Sequence, residues 1–300
     1  MADWILLFLY LVAILFAGFG VAQFALRRAE PMIAELWLPI SFGLGLGAQC
    51  ILYLLFLLVF GKIYLVPAAM ILLLFAAAAT WWGNKKNAGQ FLGLEFLQPP
   101  AFSRSRGLYW IIISLVVIFL TLFYANAANY PFTSYDGRAI WSYKAKILLY
   151  EDTIFNDAFT DPYRVHYHRN YPLLVPFAEY SIYSLVDEVS ERKARILLST
   201  FFLFHLLFFY GILRRFGTGK LLAVFIPLLF CIVPLRDDWN EIDGGPLNSG
   251  SVDIQLSFFA MVAATSMLLW WKERRPWQII IAILFAAFSI MTKQEGIIVL

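Results

Sequence analysis

The sequence predicts an all-α fold: a polytopic membrane helix bundle of about eight or nine transmembrane helices, with a long extracytoplasmic loop that carries amphipathic interface helices. Three observations predict it. Of 300 residues, 61% are hydrophobic and 14% charged, against roughly 45–50% and about 25% in ordinary soluble domains. The apolar residues fall in runs near the ~20 residues needed to cross a bilayer. Basic residues gather in alternate short loops between those runs. This composition excludes a disordered chain, a collagen-like chain and a soluble two-domain enzyme. Cys50 and Cys231 both lie in apolar runs, so no disulfide framework is expected. A net charge of +3 announces no surface for nucleic acid.

The runs follow in order. Trp4–Leu26 lacks a basic leader and is too long for a signal peptide, so it reads as a retained helix with its N-terminus outside. Leu36–Phe60 contains Gly43, Gly45 and Gly47. No strand precedes them, as a phosphate-binding loop would require, and a close helix–helix contact is the better reading. Tyr64–Trp82, Leu108–Ala128, Ile196–Leu213, Leu221–Leu235 and Ile254–Trp271 are further spans, and Trp277–Met291 is a short one. Beyond Thr292 and Gly296 the chain turns apolar again, as if a ninth span began and the protein continued past residue 300. Residues 1–107 form an N-terminal three-helix segment and residues 108–300 a second membrane unit. Arg27 and Arg28, then Lys85, Lys86, Arg104 and Arg106, then Arg214, Arg215 and Lys220, then Lys272, Arg274 and Arg275 occupy alternate loops. Those loops are expected in the cytoplasm. The opposite loops hold Lys62, Arg236 and a long segment from about Asn129 to Lys193.

Chemistry is expected on that outer side. Asp136 stands just past a span, where a carboxylate either caps free backbone N–H groups or does chemistry. Ile140, Trp141, Tyr143, Ile147 and Leu148 share one helical face, with Ser142 and Lys146 on the other. That pattern describes a helix lying in the membrane interface. Lys144 sits in the middle of its apolar face, either snorkelling to headgroups or meeting an anionic group inside the protein. A helix running back to Asp136 would turn both side chains into one cavity. His166 and His168 are spaced to serve a divalent metal on an extended segment, with no third ligand marked. His205 is mid-helix and reads as a buried residue. A second amphipathic stretch from about Leu173 to Val186 carries Glu179. Asp253 opens a span, with Gln255 just inside it. Charge at a membrane edge often has a task, and a helix cap is the other reading. Lys293 and Glu295 fall on the same side, forming a turn or pairing with each other. One outward-facing cavity that gathered Asp136, Lys144, Asp253, Lys293 and Glu295 would suit a substrate with a lipid tail and a charged head.

These residues resemble the GT-C superfamily of membrane glycosyltransferases, most closely the bacterial branch related to protein mannosyltransferases and to the aminoarabinose transferase of lipid A. The features are Asp136 early in the large outer loop, Trp141-x-x-Lys144-x-Lys146, and His168-x-x-Tyr171-Pro172-Leu173-Leu174. The opening of a span at Val252-Asp253-Ile254-Gln255 and the run Thr292-Lys293-Gln294-Glu295-Gly296 complete them. The resemblance covers about Leu108 to Leu300. It implies transfer, with inversion, of a sugar from a polyprenyl-phosphate donor to a glycan, lipid or protein acceptor on the outer face of a bacterial inner membrane. It implies that Asp136 is the base, that Lys144, Arg138 and Lys293 meet the leaving phosphate, that His168 and Tyr171 shape the site, and that Asp253 touches sugar or acceptor. The familiar Asp-Glu pair is absent, because Gly137 follows Asp136, which leaves metal use open. Two other classes remain: a transporter or flippase for a lipid-linked sugar, which would want broken helices and charges near the bilayer midplane, and a non-enzymatic assembly protein.

Overall fold

A computed structural model describes residues 2–25, 32–85, 91–92, 94–101, 103–161, 168, 170–232 and 252–299. Its helices are α1 (Ala2–Ala25), α2 (Ala34–Phe60), α3 (Leu65–Lys85), α4 (Ser103–Asn129), α5 (Ser142–Glu151), α6 (Asp157–Thr160), α7 (Leu174–Val186), α8 (Glu191–Arg215), α9 (Lys220–Ile232), α10 (Asp253–Glu273) and α11 (Pro276–Thr292). Two short strands, β1 (Met32–Ile33) and β2 (Phe91–Leu92), pair in parallel at the start of α2. Six helices are long and apolar enough to cross a membrane: α1, α2, α3, α4, α8 and α10. The expected spans at Leu221–Leu235 and Trp277–Met291 correspond to the shorter helices α9 and α11. The 17 residues of α11 reach about 26 Å at 1.5 Å per residue, short of a hydrocarbon core of about 30 Å.

Local chemistry sets the helix ends. Gly61, at φ 72°, ends α2 by donating its N–H to the Leu57 carbonyl, the left-handed stop that glycine adopts without steric penalty. Asp152 and Asp187 end α5 and α7 in the same conformation, one that Asp tolerates better than most residues. Pro276 opens α11 at its first turn, where its missing N–H has no partner to lose.

The core forms around α2, which packs on α1 and also on α7, α8 and α11. Its glycines make this possible on two sides. A Cβ on Gly43 would sit 2.6 Å from the Phe285 ring, and one on Gly47 would overlap the Phe288 ring, so both positions receive aromatic side chains of α11. Gly45 faces the other way, and its Cβ would overlap the Ile14 carbonyl of α1. The expected close contact is therefore present twice. A buried polar knot ties the same helices: the Gln49 amide donates to Ser181 Oγ at 2.9 Å and to the Tyr53 hydroxyl at 3.1 Å, and Tyr10 donates to Gln49 Oε1 at 2.8 Å. Interhelical bonds of this kind hold helices together where burial of apolar surface gives no driving force.

Charged groups separate to the two ends of the bundle. At one end Arg214 pairs with Glu95 at 2.7 Å and Arg215 with Glu273 at 2.8 Å. At the other, Lys193 meets Asp3 at 3.0 Å and Glu188 at 2.8 Å, and Lys293 meets Asp253 at 2.8 Å. The starts of α1, α8 and α10 thus share an end with the close of α7 and α11. This is the alternation that the loop charges predict.

Candidate functional site

The site grows from the chain that leaves α4. Phe132 is buried and anchors it. Ser134 then takes the capping role: its Oγ accepts from Gly137 N at 2.9 Å, and its carbonyl accepts from Arg138 N at 3.3 Å. Asp136 makes no capping bond. Its carboxylate is exposed and makes no hydrogen bond or ion pair among the described residues. The helix does continue back to Asp136, but through a π-helical turn at Gly137–Trp141 before α5 begins. Such turns are rare and recur at functional sites.

That turn overturns the expected face of α5. A π turn holds more residues than an α turn, so the two sides of Trp141 are out of phase. Ile140, Trp141, Lys144 and Leu148 are buried as expected, but Ser142 is buried too, while Tyr143 is 43% exposed. The apolar face of α5 packs on α7 and does not lie against lipid. Asp136 and Lys144 do not share a cavity, since one is exposed and the other fully buried.

Lys144 also departs from both expectations. It is fully buried and meets no anion among the described residues. Its Nζ donates to the carbonyls of His168 at 2.9 Å and Tyr171 at 2.7 Å. It lies 5.9 Å from the Trp141 ring centroid and 6.0 Å from that of Tyr171, at the outer limit of cation–π attraction. Burial opposes its charge and pulls its pKa down to about 7. The turn it holds is strained: His168 has φ 54°, a left-handed conformation that costs a non-glycine residue roughly 1–2 kcal/mol. Over the turn three rings stack. Trp141 and Tyr171 are 5.3 Å apart at 24°, and Tyr171 and His168 are 4.5 Å apart at 27°.

The chain's last described segment joins this cluster. Gln294 donates to the Asn170 carbonyl at 3.3 Å. Lys293 pairs with Asp253 at 2.8 Å and approaches Glu295 at 3.8 Å. Asp253 lies in the first turn of α10, where Val252 is the N-cap residue. A cavity of about 470 Å³ opens beside the turn, lined by Cys50, Leu54, Phe159, Tyr171, Leu173 and Met291 among others. The structure therefore brings together Lys144, His168, Tyr171, Asp253, Lys293 and Glu295. No hydrogen bond or ion pair among the described residues links Asp136 or Arg138 to them. The Arg138 guanidinium donates to the Thr133 carbonyl at 3.2 Å. His166 lies outside the described residues. Among the described residues no three His, Cys, Asp or Glu side chains converge as a metal site would need. His205 is buried in α8 and stacks on Phe209.

Two groups go beyond the expected set. Arg195 is buried at the start of α8. It follows Arg192 and Lys193, so in sequence it looks like one more loop charge. Glu179 in α7 is fully buried beside Tyr183, and neither carboxylate oxygen meets a hydrogen-bond partner in good geometry among the described residues. Burial pushes its pKa well above the usual range, and the nearby Glu191 carboxylate adds to this. The folded protein thus holds a proton that the unfolded chain releases above about pH 4.5, so this group's contribution to stability falls as pH rises from there. Glu179→Gln copies the neutral acid. It is expected to unfold at the wild-type temperature near pH 5 and above it at pH 8, read by thermal unfolding in detergent. Equal melting temperatures at pH 8 would refute burial of a neutral acid.

No family model, curated protein or solved structure matches this chain.

Proposed function

We propose that the protein is an integral membrane glycosyltransferase of about eight or nine spans. It moves a sugar from a polyprenyl phosphate to an acceptor hydroxyl at the outer face of a bacterial inner membrane. One observation carries this reading. The Asp136 carboxylate is exposed, has no hydrogen bond or ion pair among the described residues, and is relieved of capping by Ser134, which leaves it open to take a proton.

The acceptor oxygen attacks the anomeric carbon as its proton passes to Asp136. The bond from that carbon to the phosphate oxygen breaks, and the electron pair leaves on the phosphate. A cation must meet that charge. Lys293 takes this role, with Asp253 and Glu295 orienting its ammonium. The exposed Arg138 is the second candidate, on the same turn as the base. Lys144 serves from behind, holding the His168–Tyr171 turn. The apolar cavity next to Tyr171 has the character expected where a lipid-borne substrate sits.

The test is lipid mass spectrometry on cells carrying wild type or Asp136→Asn at matched membrane abundance. Losing a general base removes a factor of about 10²–10⁴ in rate, so a polyprenyl-phosphate sugar is expected to accumulate in the variant alone. Equal lipid pools would remove the transferase reading and favour a carrier of lipid-linked sugars or an assembly protein.

A further inference from the structure

We infer that Arg195 is the residue that positions Asp136, by clamping the backbone from which the Asp136 turn departs. The activity consequence rests on Asp136 being the base. The placement does not.

Arg195 lies on the first turns of α8 and is only 2% exposed. Its Nη1 donates to the carbonyls of Tyr130 at 2.6 Å and Pro131 at 2.5 Å, and its Nη2 donates to Asn126 Oδ1 at 2.8 Å. Its Nε makes no hydrogen bond among the described residues. All three acceptors are neutral oxygens. Arg195 has no ion pair among the described residues, and the Glu191 carboxylate acts on it only at longer range; a buried cation held this way is a weak source of stability, because desolvation can exceed what its bonds return. What it gives is direction. Asn126 stands in the last turn of α4, and Tyr130 N closes that helix on the Asn126 carbonyl at 3.1 Å. The carbonyls of a helix C-terminus carry negative partial charge, which favours a cation there. The planar guanidinium spans the helix end and the first residues beyond it, so the exit angle of the chain is fixed.

Little freedom remains between this clamp and the carboxylate. Pro131 has a locked φ. Phe132 is buried to 1%. Ser134 is already bonded to Gly137 and Arg138. Asp136 is thus exposed at its tip but held at its base by a chain of fixed residues that begins at Arg195. Bases held this way keep the near-attack geometry, and a shift of about 1 Å can cost about a hundredfold in rate.

The test compares Arg195→Gln with Arg214→Gln in the full chain, in nanodiscs. Arg214 sits at the opposite end of the same helix, where it pairs with Glu95, so its loss injures α8 without touching the clamp. Amide hydrogen exchange over residues 132–141 is expected to quicken about tenfold or more in Arg195→Gln and to stay unchanged in Arg214→Gln. Sugar transfer is expected to slow about 10–100-fold in kcat, with KM nearly constant. In an Asp136→Asn background the Arg195→Gln change is expected to slow transfer no further, because the group it positions is gone. Unchanged exchange over 132–141, or losses that multiply in the double variant, would overturn the inference and leave Arg195 a structural residue. If Arg195→Gln does not fold, Arg195→Lys keeps the charge but not the fork and is read the same way. If Asp136→Asn transfers at the wild-type rate, the base assignment fails, while the exchange result still decides the clamp.

Discussion

Lys144→Met is expected to loosen the His168–Tyr171 turn and slow the proposed sugar transfer sharply, yet to change the unfolding temperature at pH 7 only slightly. Two terms oppose each other. The variant removes an ammonium that burial has pulled down to about 7, which favours folding. It also strips the donor from the carbonyls of His168 and Tyr171, at about 1–3 kcal/mol for each left unpaired. The global balance is small, but the local one is not. Nothing then offsets the left-handed strain at His168, and exchange at Tyr171 N, bonded to the His168 carbonyl at 2.9 Å, is expected to rise about tenfold or more. Exchange at wild-type rates would show that the clamp does not hold the turn.

The same residue sets a pH dependence. The unfolded chain keeps the Lys144 proton up to about pH 10.5, whereas the folded protein releases it near 7. Between those values the unfolded state binds more protons, so the penalty of burying this group fades and stability rises with pH. Below about 7 the penalty is full and constant. Glu179 acts in the opposite sense, so the two are separated by comparing each variant with wild type. Thermal unfolding from pH 7 to 10 is expected to lose its rising component in Lys144→Met, and the fall in stability that begins above about pH 4.5 is expected to be lost in Glu179→Gln.

Gly45→Val is expected to destabilise the bundle by about 3 kcal/mol or more, near the upper end for overpacked cores. The seam between α1 and α2 is built from backbone: a Cβ at Gly45 would overlap the Ile14 carbonyl, and one at Gly18 would overlap the Ser41 carbonyl. A carbonyl belongs to its helix and cannot turn aside as a ring can. The whole of α1 must therefore move, dragging Tyr10 from Gln49 and Asp3 from Lys193. Gly61→Ala is the comparison. Nothing lies within 4 Å of its Cβ position, so only its left-handed φ is strained, at roughly 1–2 kcal/mol. Thermal unfolding of the two variants side by side tests this, and equal losses would refute a backbone-tight seam.

Much of the site was legible because membrane chemistry writes it in charge. Lys144 breaks an apolar face, Asp253, Lys293 and Glu295 stand at the edges of apolar runs, and Asp136 follows a span; charge at a membrane edge often has a task. His168 and Tyr171 stood out through their cluster with the prolines. What could not be read was direction. The π turn at Gly137–Trp141 shifts the phase of α5 through backbone bonding that no residue type announces, so Ser142 went inward and Tyr143 outward. Arg195 was hidden because a buried clamp and a solvated loop charge look alike in a run of basic residues.

By itself the sequence determined the helical class, most helix positions and the alternation of their ends. These depend on local hydrophobicity and charge, summed over windows of about 20 residues. Only the tertiary structure decided which charges meet. Lys144 became a backbone clamp, Asp253 was set against Lys293, and Asp136 was left with no hydrogen bond or ion pair among the described residues. Hydrogen bonds reach only about 3 Å. Residues more than a hundred positions apart, such as Asn170 and Gln294, come within that reach only when the bundle has packed.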